Sequence, residues 1–208
     1  MTIKDTELSR RTLVKGAAWS MPVIAVAAAT PMAAASTTNA SLAWTSTDSG
    51  LLGLELLDEG GVLTASAVVT VPDEYTITNG PGAITSETAT VTIAVGVPSG
   101  VSVALGHLRS FGVASVDGIA TTAAERSVTY AGPIGFPTTL WTGTRNVTIA
   151  SDGTLAVPVE FGLVGESTSL VDLSLLSTFP VQLGVEFADG SSYLATSSIS
   201  VLANAGIL

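Results

Sequence analysis

The stretch Thr88-Ala89-Thr90-Val91-Thr92-Ile93-Ala94-Val95 alternates with a clean period of two. Val91, Ile93 and Val95 share one face of an extended chain and Thr90 and Thr92 the other, the pattern of a strand with one side in a core and one in water. Working outward, Pro98-Ser99-Gly100 breaks the run before Val101-Ser102-Val103-Ala104-Leu105, and the spacing predicts a hairpin. Upstream, Val62 to Val71 alternates imperfectly and meets Pro72-Asp73, where proline lacks a ladder N–H and a strand is expected to stop. Downstream, Asn146–Ala150 and Thr154–Phe161 flank Ser151-Asp152-Gly153, a hairpin signal. Val181–Phe187 and Tyr193–Val201 flank Ala188-Asp189-Gly190-Ser191 in the same way. Weaker strand signals cover Ala40–Thr45, Leu51–Leu57, Phe111–Val116 and Arg126–Tyr130. Between them, Thr168–Leu176 places Leu170, Leu173 and Leu176 three apart, which suits a short helix or an irregular apolar loop equally.

About seven to ten short strands, with little helix, predict an all-β antiparallel β-sandwich. The 208 residues allow one such domain after a leader. With no Cys, the chain has no disulfide, thiolate metal site or cysteine nucleophile, so its stability rests on buried Val, Ile and Leu. Seventeen acids against seven bases give a net charge of −10, which argues against nucleic-acid partners, since phosphate contacts need clustered Lys and Arg.

The first 35 residues read as an address. Ser9-Arg10-Arg11-Thr12-Leu13-Val14-Lys15 precedes an uncharged, Ala-rich run interrupted by Pro22 and Pro31, and Ala33-Ala34-Ala35 forms a small-x-small cleavage sequence before Ser36. The segment resembles a twin-arginine signal peptide of exported proteins from Gram-positive bacteria: Ser9, Arg10, Arg11, Leu13, Val14 and Lys15 carry the motif, and the cut falls between Ala35 and Ser36. The resemblance implies recognition by the export machinery, transport in the folded state and an extracellular or cell-envelope destination. Residues 1–35 are thus expected to be the signal and 36–208 the β-sandwich domain, with no stable membrane span in the mature chain. Four bases and two acids leave with the signal, so the mature chain carries Arg109, Arg126 and Arg145 against 15 acids, net −12, and no Lys. An acidic, Lys-free surface repels anionic polymers and lipids and excludes Schiff-base or lysine isopeptide chemistry.

Candidate chemistry is sparse. His107 is the sole imidazole and has no Gly-x-Ser-x-Gly elbow to serve, so a strand-end or loop role outweighs a general base or metal ligand. Asp48-Ser49-Gly50 superficially matches the aspartic-protease triplet, yet Thr45-Ser46-Thr47 stands where apolar residues should lead in, and a turn is expected. Glu160 and Glu186 could pair for glycoside hydrolysis, but alternation sends both outward. The acidic turns at Asp58-Glu59, Asp73-Glu74, Asp152 and Asp189 offer oxygen ligands for Ca²⁺ without forming a calcium-loop motif, so no cofactor is assigned and Ca²⁺ is the one weak candidate. Among the aromatics, Trp44, Trp141, Tyr75 and Tyr130 could line a sugar platform. Trp141 sits in a Pro/Gly/Thr segment, where an exposed ring would stack on carbohydrate and a buried one would plug the core; Trp44 and Trp141 are the ligand-surface candidates.

At fold level the mature part resembles bacterial immunoglobulin-like modules. That resemblance implies a secreted or cell-surface, non-enzymatic protein with a binding, adhesion or structural role and an unassigned extracellular partner. The alternatives are a carbohydrate-binding module and a secreted hydrolase using an Asp/Glu pair.

Overall fold

The structure, a computed structural model, describes residues 39–58, 62–99, 106–166 and 177–201. Ten strands occupy them: β1 (Ala40–Glu55), β2 (Val62–Asn79), β3 (Ile84–Val95), β4 (Ser110–Val116), β5 (Ile119–Ala120), β6 (Arg126–Thr129), β7 (Thr138–Ile149), β8 (Thr154–Val164), β9 (Ser177–Phe187) and β10 (Ser192–Val201). A single 3₁₀ turn, Ala123–Glu125, separates β5 from β6. The described residues contain no α-helix, so the chain is all-β as the alternation predicts. The signal motif, its cleavage sequence, Val101–Leu105 and Thr168–Leu176 lie outside the described residues.

All strand pairings are antiparallel, and the main path runs β5-β4-β8-β2-β10-β9-β3-β7-β6, with β1 on β2. Chain connectivity forces this sheet to curl. Its terminal strands, β5 and β6, are joined by only Thr121–Glu125, which can span about 20 Å at most. Nine strands laid flat at about 4.8 Å spacing would separate them by nearly twice that. The curl divides the sheet into two limbs, β1-β2-β8-β4-β5 and β10-β9-β3-β7-β6, which meet where Val69 and Thr70 of β2 pair with Val201 and Ser200 of β10. The inner faces touch through Phe111 of β4 and Phe179 of β9, edge to face at 5.1 Å. Thr139 Oγ1 of β7 donates to Phe111 O at 2.6 Å.

Period-two alternation builds the core. β9 reads buried-exposed along most of its length, and the predicted triplet Val91, Ile93 and Val95 is buried on the same inner face as Val181, Leu183 and Val185. Cross-strand rows of β-branched and aromatic side chains are the unit that holds such a sheet together.

Four local expectations are corrected. Pro72 does not end its strand: β2 runs on to Asn79. Pro72 falls in the gap between Val69–Thr70, which pair with β10, and Glu74–Thr78, which pair with β8, and β1 opposes it across a bulge. Its missing N–H therefore breaks no ladder. The weak signals at Ala40–Thr45 and Leu51–Leu57 merge into one strand, β1, so Asp48-Ser49-Gly50 is strand and not turn. Asp73-Glu74, taken for an acidic turn, is likewise strand. Asp152-Gly153 does turn the chain, with Asp152 at φ 55°, but β7 pairs with β3 and β6 while β8 pairs with β2 and β4. The turn is thus a corner between limbs and not a hairpin. A two-residue signal fixes the local reversal, whereas inter-limb packing decides which strands become neighbours. Asp189-Gly190 does close a hairpin, with Glu186 opposite Ser192. An unanticipated hairpin forms at Asp117-Gly118, φ 56° and 69°, between the paired Val116 and Ile119. Positive φ at both central residues is the requirement of the tight turn that matches strand twist.

Candidate functional site

Trp141 is 1% exposed and plugs the core of the β3-β7-β9 limb. Its ring lies along the inner face of β7 over Gly143, where any Cβ would overlap the ring, and the Arg145 guanidinium stands over it at 5.4 Å from the centroid. A sugar cannot stack on a ring so covered, which corrects the surface role for Trp141. Trp44 is half-buried and packs edge to face against Tyr75 at 6.0 Å. Tyr75 is itself buried, and desolvation pushes its phenol up to about 12. The two tryptophans accordingly sit on the inner sides of β1 and β7 and build no exposed platform.

His107 is half-buried in the turn before β4, where Gly135 bridges it. Its ring stacks on Tyr130 at 3.9 Å and its Nε2 lies 3.2 Å from Gly132 O. Tyr130 OH in turn bonds Leu108 O and receives the Glu166 N–H. Desolvation raises the Tyr130 phenol, with the Glu166 N–H opposing. This is a loop clamp, joining the segments around β4, β6 and the end of β8.

Glu160 and Glu186 are exposed, as alternation predicts, on the outer faces of β8 and β9 in opposite limbs. Glu160 accepts from Ser115 Oγ at 2.7 Å, and Glu186 opposes Thr90 and Ser192. The two carboxylates do not converge. Asp189 caps its own turn through Ser191, and Asp152 stays exposed. Among the described residues no three Asp, Glu or His side chains gather where they could hold a metal.

Sequence reasoning passed over Arg126. Its side chain is 7% exposed, and its guanidinium donates to Thr121 O (2.9 Å), Thr121 Oγ1 (2.5 Å) and Leu57 O (3.2 Å), with Asp58 at 3.5 Å. The signal was present in principle: with three cations for 15 acids, one could be expected at a structural junction. A narrow cleft with no room for a water molecule runs between β4 and β6–β7, walled by Gly112, Val113, Trp141 and Val164. Arg126 is its one ionisable lining residue, and it is already engaged with the partners above. Glu125, at the 3₁₀ turn, is held below the usual carboxylate range, first by the Thr122 N–H and less by the Thr122 hydroxyl and the Arg145 charge.

The outer faces of β3 and β7 carry rows of hydroxyls. Thr90 and Thr92 of β3 oppose Thr144 and Thr142 of β7, and Thr88 donates to Asn146 Oδ1. Ser49 and Thr70 bond across β1 and β2. Such a surface offers shallow hydrogen bonding over a broad area. No described helix is long and apolar enough to cross a membrane. No protein-family model, no curated protein and no solved structure matches the chain.

Proposed function

We propose that the chain is an exported, non-enzymatic β-sandwich of immunoglobulin-like plan that acts outside the cell through its surface, in binding, adhesion or structure. The observation that carries this reading is the strand order. In the immunoglobulin plan, strands A, B, E and D form one sheet and C, F and G the other. Here β1-β2-β8-β4 follows the first order and β3-β9-β10 the second. β7 departs from the plan: it borders β3 but follows β4 in the chain, whereas an added edge strand beside C would precede D. The hydroxyl-lined outer faces and the diverging carboxylates support a role in contact over one in turnover. The twin-arginine motif at Ser9–Lys15 supports export to the envelope or medium, with Ser36 as the mature N-terminus.

The test is fractionation of producing cells together with the Arg10→Lys, Arg11→Lys double variant. The expected outcome is an extracellular or envelope product whose mass begins at Ser36, and retention of the variant in the cytosol. An intact wild-type chain in the cytosol sinks the export reading. Turnover of any member of a polysaccharide and peptide panel by the purified protein sinks the non-enzymatic one.

A further inference from the structure

β1 is paired on one side only, by β2, over its whole length. Its two ends are tied down on the other side: the Ala40 N–H donates to Tyr193 OH at 3.2 Å, and just past Glu55 the Leu57 N–H donates to Leu163 O at 2.9 Å. The β1–β2 ribbon therefore crosses from the β10 side of the molecule to the β8 side. The crossing falls at the register shifts around Ser46, opposite Pro72 and Asp73, as expected of bulges, which add twist and let strands switch sheets. At this crossing the alternation lapses, and Thr45, Ser46, Thr47, Asp48 and Ser49 are all exposed. On alternate residues their N–H and C=O groups point to the unpaired side, a template for another strand.

Several other edges are blunted, although Thr142–Ile149 of β7, which carries Arg145, is likewise paired on one side only, by β3. β5 and β6 have two and four residues. Along β4, the Phe111 and Val113 carbonyls accept from the Thr139 and Thr121 hydroxyls and the Ala114 carbonyl from the Thr121 N–H. β2 at the crossing presents Pro72, which has no N–H to offer. β1 has no proline and no lysine in its sequence, ASLAWTSTDSGLLGLE.

Charge selects the occupant. β1 and β2 contain Asp48, Glu55, Asp73 and Glu74 and not one Lys, Arg or His. Asp48 is exposed on this edge, and Asp73 is the bulge residue between Pro72 and Glu74, which pair with Thr47 and Ser46. An exposed carboxylate beside unpaired backbone groups, with no cation on either strand, favours an incoming cationic donor. We infer that the Thr45–Gly50 edge of β1 takes an extended, Lys/Arg-bearing segment of a partner protein by strand addition, a basic side chain reaching Asp48. Main-chain bonds would supply affinity and the carboxylate specificity. This deepens the binding role proposed above and rests on it.

The test uses the full chain, with a decapeptide alternating Lys and Val and its Glu/Val counterpart as probes, read by residue-resolved amide hydrogen exchange. The cationic peptide is expected to slow exchange across Thr45–Gly50 and to lose affinity as salt rises. Asp48→Asn, at an exposed site, should weaken it by about two- to five-fold, the effect of one screened ion pair. Unchanged exchange with the cationic peptide, or equal protection by the acidic one, overturns the inference. So does concentration-dependent protection of the same amides without peptide, which would give the edge to a second copy of the chain. None of these outcomes touches the export assay, so failure here and failure of the general reading are distinguishable.

Discussion

At the scale of single residues, packing against Trp141 makes the sharpest demand. Gly143 is buried beneath the indole, and its nearest neighbours are ring carbons of a side chain only 1% exposed. Gly143→Ala should therefore destabilise by about 1–3 kcal/mol through overpacking. Gly184→Ala, at a strand position with nothing within 4 Å of the new methyl, should stay within about 1 kcal/mol of the wild type or stabilise slightly. Urea unfolding of the two variants side by side checks both. Tyr75 gives a pH signature. Its phenol ionises near 10.0 when unfolded and only near 12 in the fold, because burial penalises the phenolate. Its contribution is fully present below pH 10 and is lost as pH rises through 12, by up to about 3 kcal/mol. Denaturation across pH 9–12 should show this loss, and Tyr75→Phe should flatten it. Trp141 itself shows where sequence reading stops: its Pro/Gly/Thr surroundings left open an exposed ring, and only the inward parity of β7 places it in the core.

At the scale of elements, turn chemistry and strand pairing carry different information. Asp117-Gly118 and Asp189-Gly190 close hairpins and Asp152-Gly153 does not, although all three are the same dipeptide. The dipeptide encodes backbone angles, and those are local; partners are chosen by the hydrophobic faces that must be covered. Gly118, at φ 69°, should lose about 1 kcal/mol on replacement by Ala, since a Cβ disfavours the left-handed region. The loss should appear as a lowered melting temperature with little change in the far-ultraviolet spectrum, because β5 has two residues. Pro72 teaches the converse: a long strand passes through a proline where it changes partners, because no rung there needs the missing N–H.

At the scale of the whole molecule, Arg126 links the regions that make the sheet curl. It reaches Leu57 O beyond β1, Thr121 between β5 and β6, and Asp58. Arg126→Met should cost about 3 kcal/mol, since it leaves buried carbonyls and a carboxylate without their donor. Asp58→Asn should cost under about 1 kcal/mol, because Asp58 is 36% exposed and its pair with Arg126 is screened. Calorimetric melting of both variants separates hydrogen-bonded closure from simple charge pairing; equal losses would show that the ion pair carries the closure.

The amino-acid sequence by itself determined the secondary structure class, the inward face of strands such as Thr88–Val95, the outward aim of Glu160 and Glu186, and a formal net charge of −10. These follow from period-two alternation and composition, which act within a strand. The tertiary structure alone decided that Pro72 lies inside a strand, that Trp141 is core, that Asp152-Gly153 joins opposite limbs and that Arg126 is buried. Each depends on which distant segment lies alongside, and that is settled by the closure of two apolar faces on one another through contacts far apart in the chain.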